Sequence, residues 1–195
     1  MLPLTTFESL ELNGAVLRGV ERAGYSEPTP IQAKLIPQVM AERDCIGLSQ
    51  TGSGKTGAFI LPILHKIAEE EQSAGPGHCR GLVVAPTREL AMQIVDNARA
   101  LSKFSKAKIA LLIGGTGYGP QINAMKRGAD LVIATPGRLI DHLDSGYLSL
   151  HRTHVIVLDE ADQMMDMGFL PSMRKVMQAM PEKRQTLLLT ATMPK

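Results

Sequence analysis

A lysine and a threonine follow a run of small residues in "LSQTGSGKTG", which spans Leu48 to Gly57. A phosphate-binding P-loop carries a glycine, four residues and then Gly-Lys-Ser/Thr, so that backbone N–H groups, the lysine and the hydroxyl all face phosphates. Gly54, Lys55 and Thr56 fit this pattern, whereas Ser49 stands where the first glycine is expected. Because serine is also small, the segment predicts a working loop for a nucleoside triphosphate. The alternative is a glycine-serine turn without a ligand.

A pair of carboxylates ends the apolar run in "VIVLDEADQM". Asp159 would hold Mg²⁺, as a Walker-B aspartate does, and Glu160 would orient and deprotonate an attacking water. Acidic residues also cap helices, so an Asp-Glu pair alone is weak support for this chemistry. Together with the P-loop earlier in the chain, the pair predicts a core that hydrolyses nucleoside triphosphates.

The residues that could do this chemistry follow short apolar runs, which are rich in β-branched residues and continuous rather than alternating. Strands covered by helices on both faces have this composition. The six runs are Cys45 to Leu48, Leu82 to Ala85, Ile109 to Ile113, Leu131 to Ala134, Val155 to Leu158 and Thr186 to Thr190. Helical patterns lie between them, so the sequence predicts an α/β fold with a mostly parallel central sheet and helices on both faces.

Capping residues and prolines predict where these helices begin and end. Asn13, Thr29 and Thr87 each precede a helical pattern and can accept hydrogen bonds from its first turn. Pro37 and Pro62 fall inside helical patterns. Because proline lacks the N–H of the helix ladder, we expect kinks or early helix ends at both positions.

The composition limits the classes of function. The chain has 195 residues, 44% hydrophobic and 21% charged, which is typical of a globular domain with a substantial core. A net charge of +2 is too small to indicate nucleic-acid binding by itself. No apolar run approaches the roughly 18 residues of a membrane span, and the first residues lack a signal-peptide pattern. Cys45 is expected to be a buried, reduced thiol, and the protein is expected to be cytoplasmic.

The order of these and further motifs resembles the N-terminal RecA-like domain of the DEAD-box ATP-dependent RNA helicases. Asp159 to Asp162 spell D-E-A-D, and the resemblance runs through nearly all of the sequence. It implies one RecA-like P-loop NTPase domain over residues 1–195, with a Q-motif region at 7–32, the P-loop at 49–56 and the tetrad at 159–162. A C-terminal RecA-like domain would lie outside this chain. Two positions depart from the family, since Ser49 replaces the usual alanine and Thr190 opens "TAT" instead of S-A-T.

The resemblance implies an ATP site with magnesium. "GYSEPTPIQ" resembles the Q motif, in which Gln32 would bond the adenine edge while Tyr25 and Phe7 pack around that region. Tyr25 is alternatively an ordinary core or surface aromatic. The implied catalytic residues are Lys55, Asp159 and Glu160, and the implied Mg²⁺ ligands are Thr56 and Asp159. The implied ATP contacts are Phe7, Tyr25, Gln32, Gln50, Thr51, Gly52, Ser53, Gly54, Lys55 and Thr56.

The resemblance also implies a surface for one RNA strand, because "APTREL", the pair Gly114-Gly115 and "TPGRLID" resemble the family's RNA-facing motifs. Thr87 and Thr135 each follow an apolar run, so they would share the strand-end edge with the P-loop. Arg88 alternatively forms a surface ion pair. The implied contacts with the RNA backbone are Pro86, Thr87, Arg88, Gly115, Thr135 and Arg138. The residues implied to couple hydrolysis to domain movement are Asp162, Thr190 and Thr192.

The activity that this resemblance implies is RNA-stimulated ATP hydrolysis coupled to unwinding or remodelling of RNA. A second RecA-like domain of the same protein would supply catalytic arginines, so this chain alone is expected to be a nearly inactive monomer. Two alternatives stay open: another P-loop enzyme, such as a nucleotide kinase, and a nucleotide-binding RNA-interaction module without turnover. Added RNA raises the ATPase of a motor, a small acceptor raises that of a kinase, and neither affects a module.

Overall fold

The computed structural model describes residues 5–50, 52–70 and 72–192, and its strands form a single six-stranded sheet. In chain order the strands are β1 (Cys45–Leu48), β2 (Gly81–Val84), β3 (Ile109–Leu112), β4 (Leu131–Ala134), β5 (Val155–Leu158) and β6 (Gln185–Thr190). Their order across the sheet is β1-β6-β5-β2-β4-β3, and every neighbouring pair is parallel. All strands therefore end at one edge, and the loops that follow them lie along it.

Helices connect the strands and cover both faces of the sheet. They are a short 3₁₀ helix (Glu8–Leu10), α1 (Gly14–Arg22), α2 (Pro30–Met40), α3 (Lys55–Glu69), α4 (Arg88–Leu101), α5 (Tyr118–Lys126), α6 (Pro136–Asp144), α7 (Ala161–Asp166) and α8 (Leu170–Ala179). Within the described ranges, no helix combines the length and the apolar composition needed to span a membrane.

Two hydrophobic cores lie on opposite faces of the sheet. The first joins α1 to α4 with the sheet, and the second joins α5 to α8 with it. Neighbouring residues of a strand point to opposite faces, so Val83 of β2 enters the first core and Leu82 enters the second. Both side chains are fully buried. This burial on both faces explains why the strand sequences are continuous apolar runs.

The predicted fold class and all six predicted strands are confirmed, with strand ends that differ by at most one residue. The predicted caps are also present. Asn13 accepts a hydrogen bond from the Ala15 N–H at 2.8 Å, and Thr87 accepts one from the Leu90 N–H at 3.2 Å. Thr29 forms a capping box with the residue three positions later.

The expectation of early helix ends at the prolines is wrong. Helix α2 continues past Pro37 to Met40, and α3 continues past Pro62 to Glu69. Helix α3 lies in the first core, where residues on both sides of Pro62 are buried. Burial of that apolar surface offsets the missing hydrogen bond.

The two cysteines are free thiols with different environments. Cys79 is buried, and burial raises the pKa of its thiol to about 12. Cys45 is only half-buried, contrary to the expectation of a buried thiol. Its strand, β1, is an edge strand that pairs with β6 alone, which leaves one side of the strand without a neighbour.

Candidate functional site

The P-loop connects β1 to the first turn of α3. Gly52 and Gly54 have φ values of 83° and 89°, in the left-handed region that favours glycine, and Gly54 is the N-cap of α3. A Cβ atom at Gly54 would lie 2.7 Å from the Thr29 hydroxyl oxygen. The loop needs glycine there because of both its backbone conformation and its close contact with the start of α2.

Ser49, the departure from the P-loop pattern, has a defined place. Its backbone N–H donates to the Thr190 carbonyl oxygen at 3.1 Å and so extends the pairing of β1 with β6. Its hydroxyl group is hydrogen-bonded to the Ser53 hydroxyl across the loop. Serine at position 49 therefore closes the loop with a side-chain contact that alanine cannot make.

Lys55 is a buried cation at the start of α3. Its side chain is 7% exposed, and its ammonium nitrogen lies 3.6 Å from Asp159 Oδ1. Among the described residues, this nitrogen has no hydrogen-bond partner. Burial raises the pKa of Asp159, and the charge of Lys55 acts in the opposite direction. A buried ammonium group with free donors fits a phosphate ligand.

Glu160 has a strained backbone next to this pair. Its φ and ψ are 51° and 52°, and it is one of three non-glycine residues with positive φ in the described ranges. Its N–H donates to Asp159 Oδ1 at 3.0 Å. Strain of this kind is concentrated at functional sites, and here it sets the direction in which the Glu160 side chain leaves β5.

Thr56 and Asp159 provide oxygens of the kind that Mg²⁺ prefers, a hydroxyl and a carboxylate. Thr56 is the second residue of α3, and Asp159 contacts the first, Lys55. No cluster of three or more histidine, cysteine or acidic residues suited to a metal occurs in the described parts of the chain. The donor set fits an ion that is held by one or two protein side chains and the phosphates of a nucleotide.

Gln32 connects the start of α2 to the P-loop. It is 2% exposed, its Oε1 accepts from the Thr29 N–H at 3.0 Å, and its Nε2 donates to the Gly54 carbonyl at 3.1 Å. A primary amide can make further hydrogen bonds beyond these two. The side chain therefore supports the P-loop directly, and its implied contact with adenine stays a prediction.

The two predicted aromatic residues lie close to each other. Phe7 is 2% exposed and belongs to the first core, with its ring centroid 6.2 Å from that of Tyr25. Tyr25 is half-buried, and its hydroxyl accepts from Asn97 Nδ2 at 2.8 Å. Phe7 therefore supports Tyr25 from inside the core. Of the other implied ATP contacts, Gln50 is exposed, whereas Thr51 lies outside the described residues.

The candidate RNA residues after β2 and β3 are in contact with one another. Arg88 is exposed, and its Nη1 donates to the Gly114 carbonyl oxygen at 3.4 Å. In the described ranges it forms no ion pair with an acidic residue. Gly115 has a φ of 72°, and a Cβ atom there would collide with the Arg88 guanidinium. Pro86 is buried two residues after β2 ends. The glycine pair thus leaves room for an arginine that faces solvent.

The residues after β4 belong to the same region, because β4 pairs with both β2 and β3. Thr135 is 9% exposed and is the N-cap of α6. Arg138 is mostly enclosed: its guanidinium carbon lies 4.8 Å from the Tyr118 ring centroid, and its Nε lies 3.7 Å from an Asp141 carboxylate oxygen. The structure thus fixes Arg138 against other side chains.

The predicted coupling residues contact one another although they are far apart in sequence. Asp162 Oδ2 accepts from the Thr192 N–H at 3.1 Å and from its hydroxyl at 2.8 Å. The Thr190 hydroxyl donates to the Thr192 carbonyl at 2.7 Å. Burial acts to raise the pKa of Asp162, but hydrogen bonds from Thr192, Gln163 and Thr190 hold it below its usual value. The end of β6 is therefore tied to the first turn of α7.

Sequence reasoning missed a cluster beside Arg138, formed by residues of α5, α6 and the turn after α6. It consists of Tyr118, Gln121, His142 and Tyr147, whose side chains contact one another. No motif marks these residues. The only available signal is that Tyr118 and Gln121 are three residues apart, which places them on one face of a helix.

Known proteins resemble this chain over nearly its whole length. The family model described as "DEAD/DEAH box helicase" matches residues 29–195. The chain is 42% identical to the DEAD-box ATP-dependent RNA helicase CshA of Geobacillus kaustophilus, over 98% of this chain and 40% of that protein. It is 47% identical to DEAD-box ATP-dependent RNA helicase 46 of Arabidopsis thaliana, over 99% of this chain and 30% of that protein.

A solved structure has the same fold. The crystal structure of a DEAD box protein from the hyperthermophile Methanococcus jannaschii superposes with a TM-score of 0.89 at 36% identity. The match covers 97% of this chain and 50% of that one. The chain thus spans half or less of the length of each of these proteins.

Proposed function

The chain belongs to the DEAD/DEAH box helicase family, and we propose that it is the N-terminal, ATP-binding RecA-like domain of an RNA-stimulated ATPase that unwinds or remodels RNA. One observation carries the proposal: the strand-end edge of the sheet is divided in two. The P-loop follows β1 and the Asp159-Glu160 pair follows β5, with the coupling residues after β6 between them, whereas the candidate RNA residues follow β2, β4 and β3 on the other half of the sheet. A ligand on one half therefore lies beside a ligand on the other.

The proposed reaction is attack of water on the γ-phosphate of ATP, in line with the leaving β-phosphate oxygen. A bond forms between the water oxygen and phosphorus as the bond from phosphorus to the bridging oxygen breaks. Glu160 orients the water and accepts its proton. Lys55, which is buried and has free donors, neutralises charge on the β- and γ-phosphates. Bound Mg²⁺, held by Thr56 and Asp159, would stabilise negative charge on the same phosphates.

Selectivity for adenine is proposed to come from Gln32, supported by Tyr25. The amide of Gln32 uses one acceptor and one donor position within the protein, and so keeps one of each for the adenine edge. The same side chain holds the Gly54 carbonyl. Base recognition and the shape of the P-loop are thereby proposed to depend on a single residue.

The proposed RNA contacts go to the phosphate-sugar backbone through Thr87, Arg88, Gly115, Thr135 and Arg138. Backbone contacts orient a strand without reading its sequence, so we propose a domain that accepts many RNA sequences. The hydroxyls, glycine N–H groups and guanidinium groups of this set are ordinary phosphate ligands.

We further propose that turnover requires a second RecA-like domain, because the chain spans only 30% to 40% of the curated helicases that it matches. That domain would supply an arginine to the γ-phosphate, a contribution worth about 10³ to 10⁵ in rate. It would also complete the RNA surface and so strengthen salt-sensitive binding. The first domain would provide nucleotide binding and the water-activating carboxylate.

The test is ATP hydrolysis by this chain and by a protein that joins it to a second RecA-like domain, each with and without single-stranded RNA. We expect the chain alone to bind ATP with micromolar or weaker affinity, about −8 kcal/mol. We expect almost no turnover from it, and RNA-stimulated turnover from the joined protein. Brisk RNA-stimulated hydrolysis by the chain alone would contradict the need for a second domain. Stimulation by a small phosphate acceptor instead of RNA would favour a kinase, and binding of both ligands without turnover by the joined protein would favour an RNA-interaction module.

A further inference from the structure

Gln121 of α5 holds the turn that follows β3. Its side chain is 6% exposed, and its Nε2 donates to the Ile113 carbonyl at 2.9 Å and to the Thr116 hydroxyl oxygen at 2.8 Å. These two partners lie on either side of Gly114-Gly115. A carbonyl oxygen only accepts hydrogen bonds, so the amide nitrogen of Gln121 must face the turn.

This orientation directs the Gln121 Oε1 toward His142 of α6, whose Nε2 lies 3.2 Å away. Because Oε1 only accepts, His142 must carry its proton on Nε2. The ring is fully buried, and among the described residues its Nδ1 has no partner. Burial, and after it the charge of Arg138, lowers the pKa of His142, which favours the neutral form of the ring.

The same histidine is stacked on the ring that contacts Arg138. The His142 and Tyr118 centroids are 4.7 Å apart with an interplanar angle of 25°, and the Arg138 guanidinium carbon lies 4.8 Å from the Tyr118 centroid. Arg138 Nη1 is also 3.5 Å from the Thr116 carbonyl. His142 and Arg138 are one helical turn apart on α6, so the glycine turn and the arginine are joined through Gln121, His142 and Tyr118.

We propose that Gln121 and His142 are positioning residues for RNA, which set the distance between the Gly114-Gly115 turn and the Arg138 guanidinium. This role rests on the proposed function, because it requires that both groups contact the RNA backbone. Phosphates along one strand are spaced by the strand's own geometry, so donors on separate elements bind best when their separation is fixed before binding. The hydrogen bonds of the Gln121 amide fix the separation between the turn after β3 and the helix after β4 in the free protein. These groups therefore need no further ordering when RNA binds.

The experiment measures binding of a fluorescent single-stranded oligouridine by anisotropy, with a double-mutant cycle. Gln121→Met keeps the length of the side chain and removes all three hydrogen bonds. We expect it to weaken binding roughly threefold to tenfold, the cost of ordering about one side chain. The same substitution in an Arg138→Ala background should have little further effect, because the group it positions is gone. Gln178→Met, on the exposed side of α8, is the matched control and should leave binding unchanged.

Two substitutions of His142 separate positioning from packing. His142→Phe keeps an aromatic ring but removes the donor to Gln121, whereas His142→Gln restores an N–H at similar reach. We expect His142→Gln to bind RNA more tightly than His142→Phe, and both to bind ATP like the unmodified chain. If Gln121→Met fails to fold, as judged by thermal unfolding, this pair carries the test.

The possible outcomes distinguish this role from the proposed function. If the unmodified chain binds the oligouridine and Arg138→Ala weakens that binding, but Gln121→Met does not, the positioning role is wrong and the proposed function stands. An equal effect of Gln121→Met with and without Arg138 would also overturn the role, since it would indicate general destabilisation. If neither this chain nor the protein with a second RecA-like domain binds the oligouridine, the proposed function itself fails, and the role with it.

Discussion

The ammonium nitrogen of Lys55 lies 3.6 Å from Asp159 Oδ1, and both side chains are almost fully enclosed by protein. The two residues come from different halves of the chain, the P-loop helix α3 and the end of β5. Burial of a charged group costs free energy, and the contact between these two groups is too long to offset much of that cost. The arrangement therefore favours a ligand that brings negative charge to Lys55 and a cation to Asp159.

Replacement of Lys55 by alanine should weaken ATP binding about tenfold to a hundredfold, because a hydrogen bond to a charged group contributes about 1.5–3 kcal/mol. Isothermal titration calorimetry measures the change. Lys66→Ala is the matched control, since Lys66 lies on the same helix and bonds Glu42 and Gln185 instead. Unchanged ATP affinity in Lys55→Ala would show that this lysine does not reach the phosphates.

Glu160→Gln should keep nucleotide affinity and lower turnover by about 10² to 10⁴, because it removes only the group that accepts the water proton. Turnover is measured in a protein that includes a second RecA-like domain, and affinity in the chain described here. Glu182→Gln, at an exposed position before β6, should change neither. Equal losses of ATP binding in Lys55→Ala and Glu160→Gln would contradict the assigned division of roles.

Gln32→Ala should lower both stability and ATP affinity, because it leaves the Thr29 N–H without a partner and removes one of the two hydrogen bonds to the Gly54 carbonyl, which also accepts from the Ala58 N–H. An unsatisfied buried group costs about 1–3 kcal/mol, measurable by denaturant unfolding. Affinities for ATP and GTP then separate the two roles of Gln32. If it reads adenine, ATP binding falls more than GTP binding. An unchanged ratio would leave only the support of the P-loop. Gln38→Ala, exposed on the same helix, is the control.

Thr192→Val should uncouple hydrolysis from RNA unwinding in a protein with a second RecA-like domain. The substitution keeps the size of the side chain and removes the hydroxyl that donates to Asp162 at 2.8 Å. ATP binding should be unchanged, while the number of ATP molecules hydrolysed per duplex unwound should rise. Thr192→Ser retains the hydroxyl and should behave like the parent protein. Equal behaviour of the valine and serine variants would exclude a role for this hydrogen bond.

Stability should fall as the pH is lowered from 7.5 to 5.5. Burial lowers the pKa of both His65 and His142 below the ordinary value of 6.5, and His65 Nδ1 accepts from the Asn13 N–H at 2.9 Å. As the pH falls below 6.5, the folded state binds fewer protons than the unfolded state. The free energy of unfolding that depends on the neutral histidines is therefore fully present above pH 6.5 and is lost as the pH falls below it. Thermal unfolding across this range measures the effect.

The melting temperature should change little between pH 7.5 and 5.5 in a chain that carries both His65→Gln and His142→Gln. His151→Gln provides the comparison, because His151 is exposed on the surface before β5. A melting temperature that rises as the pH falls from 7.5 to 5.5 would contradict the assignment. So would a steep pH dependence in the chain that lacks both histidines.

Local patterns in the sequence were enough to determine the strands, the helix caps and the P-loop. The run Val155 to Leu158 is apolar because both faces of β5 are buried, and this is visible without knowing its neighbours. Thr87 caps α4 through a bond to the residue three positions later, which spacing alone predicts. The Gly54-Lys55-Thr56 segment is likewise a local feature, since its chemistry depends on consecutive residues.

Only the tertiary structure decided which of these elements meet. Asp162 and Thr192 contact each other although they are thirty positions apart in the sequence, and Gln121 meets His142 because α5 and α6 flank the same strand, β4. The order β1-β6-β5-β2-β4-β3 is what divides the sheet edge into two halves. This strand order arises from how the crossover helices pack on each face of the sheet. The burial of Phe7 and the continuation of α3 beyond Pro62 depend on the same packing. Such contacts depend on the summed packing of distant segments, which no local spacing of residues encodes.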